Sequence, residues 1–144
     1  MILYSELTST FQILDYACTH SQLLLRSSKN KNRNHNIDIL FKPVNVMLLP
    51  SRIEGLEISI NDFPDKQQLL IDKYGFNLDY SNYIFRLKNT EGKSFFVNAM
   101  AFYVFHNNQI TPCESGLKNG MGGYDYLFGE SILDFNSSGL RSYK

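Results

Sequence analysis

Five residues of this 144-residue chain carry the side chains of thiolate, imidazole or transition-metal chemistry: Cys18, His20, His35, His106 and Cys113. Cys18 and His20 lie two apart, and on a strand that spacing puts both on one face. A thiolate beside an imidazole is a nucleophile–base pair, or half of a tetrahedral metal site. The competing reading is packing. Leu14, Tyr16 and Cys18 make one apolar strand face, with His20 at its polar end. A metal would need two further ligands, and His35, His106 and Cys113 form no local ligand pair. The sequence therefore assigns no catalytic residue, no metal and no cofactor. Cys18, His20 and His106 stay as the basis of an alternative, a small enzyme or ligand-binding β-barrel.

A second feature lies between two apolar runs. Ser27 to Asn36, SSKNKNRNHN, contains no apolar residue. Asn and Ser compete for backbone hydrogen bonds and favour turns over regular structure, so this is a hairpin loop. Lys29, Lys31 and Arg33 cluster in it and form the candidate partner-binding site. The loop lacks the interleaved aromatics that stack nucleobases. Lys plus Arg equals Asp plus Glu at 14 each, without the basic excess of a nucleic-acid binder. A protein partner is favoured over nucleic acid, and binding over catalysis. Near-zero net charge also permits self-association, so a homo-oligomeric structural protein is a further alternative.

Other motifs carry less. Gly116 to Gly123, GLKNGMGG, has its Lys out of place for a phosphate-binding loop, and Tyr-Asp-Tyr follows where a G-K-[ST] ending is needed. Gly129-Glu130-Ser131 lacks the closing glycine of a nucleophile elbow. The carboxylates are scattered, and no pair has a spacing that forces a shared site.

The length is that of one domain, and an apolar content of 43% with 14% aromatic residues is far from a disordered profile. No apolar run reaches membrane-spanning length, no secretory leader is seen, and two distant cysteines read as reduced, buried thiols. Together these point to the cytoplasm.

The elements that must position any site are mostly strands. Thr10–His20 and Gln22–Ser27 are candidates before the polar loop, and Ile37–Lys42 after it, ended by Pro43. Val44–Leu49 and the strict alternation of Leu56, Ile58 and Ile60, with Glu57, Ser59 and Asn61 on a wet face, follow. Asp62 to Tyr74 changes to helical spacing, with Asp62 as cap, Pro64 in the first turn and Gly75 as terminator. Tyr83–Lys88 and Ser94–His106 flank Asn89–Lys93, a hairpin with a polar five-residue turn containing Gly. The second arm is apolar on both faces and so central. From about 109 a Gly-rich stretch should wrap onto the sheet, with Tyr124–Phe128 and Ser131–Phe135 as short pieces and Ser137–Lys144 frayed.

The segments NIDILFKPVNVMLLPSRIEGLEI and YIFRLKNTEGKSFFVNAMAFYVFHN are similar in style to small strand-rich bacterial proteins, some of which occur beside polymorphic toxins as immunity proteins. The resemblance implies a toxin-neutralising role and transfers no site residue. The fold expected is α+β: mainly antiparallel, a sandwich or half-open barrel of seven or eight strands with one short helix, in a single domain over 1–144. Its expected core is Ile13, Leu14, Leu24, Ile39, Phe41, Val46, Leu48, Ile58, Ile60, Phe85, Leu87, Val97, Met100, Phe102 and Val104.

Overall fold

The computed structural model describes residues 1–17, 21–108 and 131–143. Cys18, His20, Cys113, the Gly116–Gly123 stretch and the Tyr124–Phe128 piece lie outside the described residues. The elements are β1 (Ile2–Ala17), β2 (Gln22–Ser27), β3 (Asn36–Leu48), β4 (Arg52–Ser59), α1 (Pro64–Tyr74), β5 (Tyr83–Lys88), β6 (Ser94–Asn107), β7 (Ser131–Asn136) and β8 (Gly139–Ser142).

The mainly antiparallel α+β fold expected from the sequence is the one observed, with eight strands among the described residues. All ladders are antiparallel, and they run β1–β2–β3–β6–β5–β4 and back to β1. The sheet thus closes into a ring. The long strand β6 pairs β3 along one edge. Its other edge pairs β5 from Ser94 to Ala99 and β7 from Phe102 to Phe105. Strand β8 hangs from β7 outside the ring.

Alternating side chains fill the interior. Leu3, Phe11, Leu23, Leu25, Ile37, Ile39 and Phe41 belong to one buried cluster with Ile58, Phe85, Leu87, Phe102 and Phe135. At its centre the Phe85 ring meets Phe41, Phe102 and Phe135 edge-on at 5.6, 5.4 and 5.7 Å between centroids, the geometry that ring quadrupoles favour.

Helix α1 covers the outer face of β5 and β6. Leu70, flanked by Phe63 and Phe76, packs on Ile84 and Phe96, with Val46 and Leu48 beside them. Pro64 starts the helix, as its fixed φ and missing N–H allow, and Gly75 ends it at φ 77°. The Phe76 amide then donates to the Leu70 carbonyl at 3.2 Å, which closes the last turn.

Several sequence expectations are corrected. Leu14 is not core: it is the extra residue where the β1–β2 register shifts between Ile13 and Asp15, and it is 36% exposed. Val46 and Leu48 face α1, because the β3–β6 register slips between Val44 and Val46. Met100 falls where the inward positions of β6 change from Val97 and Ala99 to Phe102 and Val104, and is only half-buried. Pro43 does not end a strand. β3 continues through it at a point where β2 has already stopped at the Leu23–Phe41 pair, an edge position that tolerates a missing N–H. Asp62 does not cap α1. Phe63 holds that position, and the Asp62 carboxylate instead accepts from Ser59 Oγ at 3.2 Å and an Arg86 nitrogen at 2.7 Å. Ser59, placed by the sequence on a wet face, is consequently buried. The first strand starts at Ile2, well before Thr10, and Gly139–Ser142 forms a strand where fraying is expected.

Candidate functional site

The polar loop is a tight, ordered turn. The Asn30 amide donates to the Arg33 carbonyl at 2.9 Å, and the Arg33 amide donates back at 3.2 Å. Asn30 Oδ1 accepts from the amides of Asn32 and Arg33, an Asx arrangement that Asn supplies locally. Farther down, Asn36 Oδ1 accepts the Lys29 amide at 2.8 Å.

The three cationic residues have different fates. Lys29 and Lys31 are exposed. Arg33 folds back, half-buried, and makes five hydrogen bonds: to the His35, Ser27 and Ser28 carbonyls and to the Ser27 and Ser9 hydroxyls. All five acceptors are neutral oxygens. The guanidinium thereby ties the hairpin to β1.

Strand β1 meets the hairpin through a bulge. It advances from Glu6 to Thr10 while its partner β4 moves only from Leu56 to Glu54. The surplus residues are pushed out. Gly55 makes this possible: its φ is 74°, and a Cβ there would lie 2.4 Å from Thr90 Cγ2 and 2.9 Å from the Leu7 carbonyl oxygen. Within the bulge the Thr8 hydroxyl donates to Glu6 at 2.7 Å. That bond, partly opposed by burial and assisted by the Thr8 amide, Ser9 and Arg33, holds the Glu6 carboxyl below its ordinary range.

Between bulge and hairpin runs a groove of about 350 Å³. Thr8, Ser9 and Thr10 line one side, Ser28, Lys29 and Asn30 the other, and Arg52 at the start of β4 closes an end. A second concavity shares Thr8 to Thr10 and continues past Gly55 to Glu54 and Thr90. The result is a polar trough with hydroxyls along its length and Lys29 and Arg52 at its sides. Arg33 lies against its floor through Ser9 and Ser27. Arg52 reaches Glu54 only at 3.9 Å, with both side chains exposed; such a pair contributes little and leaves the guanidinium available. Hydroxyl and cationic donors converging on one concavity suit carboxylate oxygens.

The sequence signals Lys29 through local charge. It does not signal Thr8 to Thr10 or Arg52, which join the site only through strand register.

A separate cluster forms at one end of the barrel. His35 and His106 stack with ring centroids 4.2 Å apart, because the Ile37–His106 register sets their strand ends side by side. Burial, then the His35 ring and Arg33, lower the pKa of His106, and Glu6 opposes them. Tyr4 is pushed above its ordinary value by burial and by Glu6, with Arg33 opposing. Local spacing does not pair these histidines; the fold does. Among the described residues no group of three or more His, Cys, Asp or Glu side chains is placed to hold a metal ion, and no helix is long and apolar enough to cross a membrane. Cys18 and His20, the remaining members of the catalytic alternative, lie outside the described residues. Compared with protein-family models, curated proteins and solved structures, the chain matches none.

Proposed function

We propose that this protein is a non-catalytic binding module that recognises another protein, and that its partner presents acidic side chains to the groove between the β1 bulge and the β2–β3 hairpin. The groove is the observation that supports this reading. It is built on an ordered scaffold, it gathers Lys29, Arg52 and several hydroxyls, and beneath it lies the Arg33 guanidinium, whose hydrogen bonds go to neutral oxygens. Binding residues on loops fixed by a rigid sheet are the common arrangement in recognition proteins. Large apolar side chains occupy the described interior, and the polar outer surface carries recognition. Neutralisation of a toxin in the bacterial cytoplasm is the specific role we favour, and the resemblance to small strand-rich immunity proteins is its support.

The test is affinity capture in the native host with the wild-type chain and with Lys29→Glu/Lys31→Glu/Arg52→Glu. A stoichiometric protein retained by the wild type and lost by the triple variant, at unchanged melting temperature, is expected. Retention of no stoichiometric protein, or equal retention by both chains, overturns the reading.

A further inference from the structure

From the geometry of the segment between α1 and β5 we infer that the Gly75–Asn82 loop is a second, pre-organised docking element, whose Tyr80 inserts into an apolar pocket with a basic rim on a partner protein. The Asn82 amide donates to the Asp79 carbonyl at 3.1 Å, which closes a four-residue turn. Both central residues have positive φ, Tyr80 at 56° and Ser81 at 66°. Turns with positive φ at both central positions normally carry Asn-Gly, because a Cβ is disfavoured there. Here a bulky aromatic and a serine hold them. Left-handed non-glycine residues persist only where the surroundings over-determine them, and they cluster at functional positions.

The surroundings do over-determine this turn. Asn98 on β6, fully buried, accepts the Asn77 amide at 3.0 Å and donates to the carbonyls of Asn77 and Tyr83 at 2.8 and 2.9 Å. The Asn82 amide group donates to Asn77 Oδ1 at 3.0 Å and to the Asp79 carbonyl, and accepts from Asn45 on β3 at 2.9 Å. Phe76 anchors the start of the loop in the cluster beneath α1.

All this order presents an apolar tip to solvent. Tyr80 is 89% exposed, and Leu78 and Tyr74 beside it in the chain are also exposed. A strained turn, fixed by four asparagines, that serves only to hold an aromatic ring in water has no stabilising purpose. An exposed aromatic carried on a backbone that is already fixed, with little backbone entropy left to lose, instead suits the anchor of a protein interface. Asp79, adjacent to it, enters no salt bridge among the described residues. Its charge sets the basic rim of the matching pocket. Asn45 and the hairpin tip lie toward opposite ends of β3, on the order of 25 Å apart at the rise of a strand, so loop and groove are distinct surfaces. The inference shares with the proposed function only the premise of a protein partner.

Two measurements test it. Tyr80→Gly should melt at the wild-type temperature or above, since glycine suits the left-handed region and the lost ring touches mostly water; a lower melting temperature overturns the strained-display argument. Separately, p-benzoylphenylalanine at position 80 is photoactivated in the native host, with position 140 as the exposed control. The expected result is one discrete protein adduct at 80, none at 140, and at least a five-fold loss of adduct on adding Asp79→Lys. No adduct, equal adducts at both positions, or insensitivity to Asp79→Lys overturns the inference. An adduct with these properties that survives Lys29→Glu/Lys31→Glu/Arg52→Glu, when that variant also leaves affinity capture intact, removes the groove and keeps the loop.

Discussion

Arg26 and Asp38 are direct register partners across the β2–β3 ladder and form a buried fork, with Nε to Oδ1 at 2.6 Å and NH2 to Oδ2 at 2.9 Å. Their exposures are 4% and 0%, and Asn107 adds a hydrogen bond to Asp38 Oδ2 at 2.8 Å. A buried pair of this kind is costly to break and cheap to replace. Asp38→Ala should destabilise by about 3–5 kcal/mol, because it takes the paired carboxylate away from a buried guanidinium. Arg26→Leu/Asp38→Leu should recover most of that loss. Urea unfolding of the single and double variants measures both.

Arg33 and its two lysine neighbours separate on stability. Lys29→Glu and Lys31→Glu should each stay within about 0.5 kcal/mol of wild type, as exposed sites do. Arg33→Ala removes five hydrogen bonds from a charged donor and should cost about 1.5–3 kcal/mol. Amide exchange should rise in residues 28 to 36 in that variant alone.

Two glycines with similar positive φ should differ in cost. Gly75→Ala meets no atom within 4 Å, so only the backbone penalty of about 1 kcal/mol applies. Gly55→Ala adds a Cβ 2.9 Å from the Leu7 carbonyl oxygen, and its cost should exceed about 2 kcal/mol as the β1 bulge is forced to shift. If the groove is the partner site, Gly55→Ala also weakens capture while Gly75→Ala does not.

The stacked histidines give stability a pH dependence. Burial, the His35 ring and Arg33 together hold His106 below its ordinary value of 6.5, so the unfolded chain binds the proton more readily. Stability is full above that value, falls as pH drops through it, and levels off only below the folded pKa. Melting temperatures measured from about pH 8 to about pH 5 should decline less steeply in His106→Gln than in the wild type.

Much of this fold is legible in the residues because the signals are local. Gln22–Ser27 and Tyr83–Lys88 are strands with the limits that apolar runs and turn residues set for them. Pro64 and Gly75 bracket α1 as their backbone preferences require. What local pattern misses are the register slips. Leu14 and Val46 keep alternation in sequence, yet bulges turn them away from the core, and Met100 falls where the inward face of β6 changes parity. The same limit governs the site. Lys29 is legible as part of a charge cluster, but nothing local separates it from Arg33, whose Ser9 partner lies 24 residues away. Tyr80 escapes notice because Asp-Tyr-Ser-Asn carries no glycine to mark its turn.

The ladder that closes the ring joins Leu48 to Phe96 at one end and Asn36 to Asn107 at the other. All of β4, α1 and β5 lies inside the stretch of chain that this ladder encircles. Long-range closure of that kind is entropically slow, so β4, α1 and β5 should gain amide protection before the barrel closes in pulse-labelled refolding. The order reverses under load. β7 and β8 can peel from the rim and leave every other strand paired on both sides, whereas parting β3 from β6 opens the ring into a single open sheet with β3 at its edge. β6, with β3, β5 and β7 as neighbours, is the keystone of the molecule, and its central amides are the last to yield their protons to exchange.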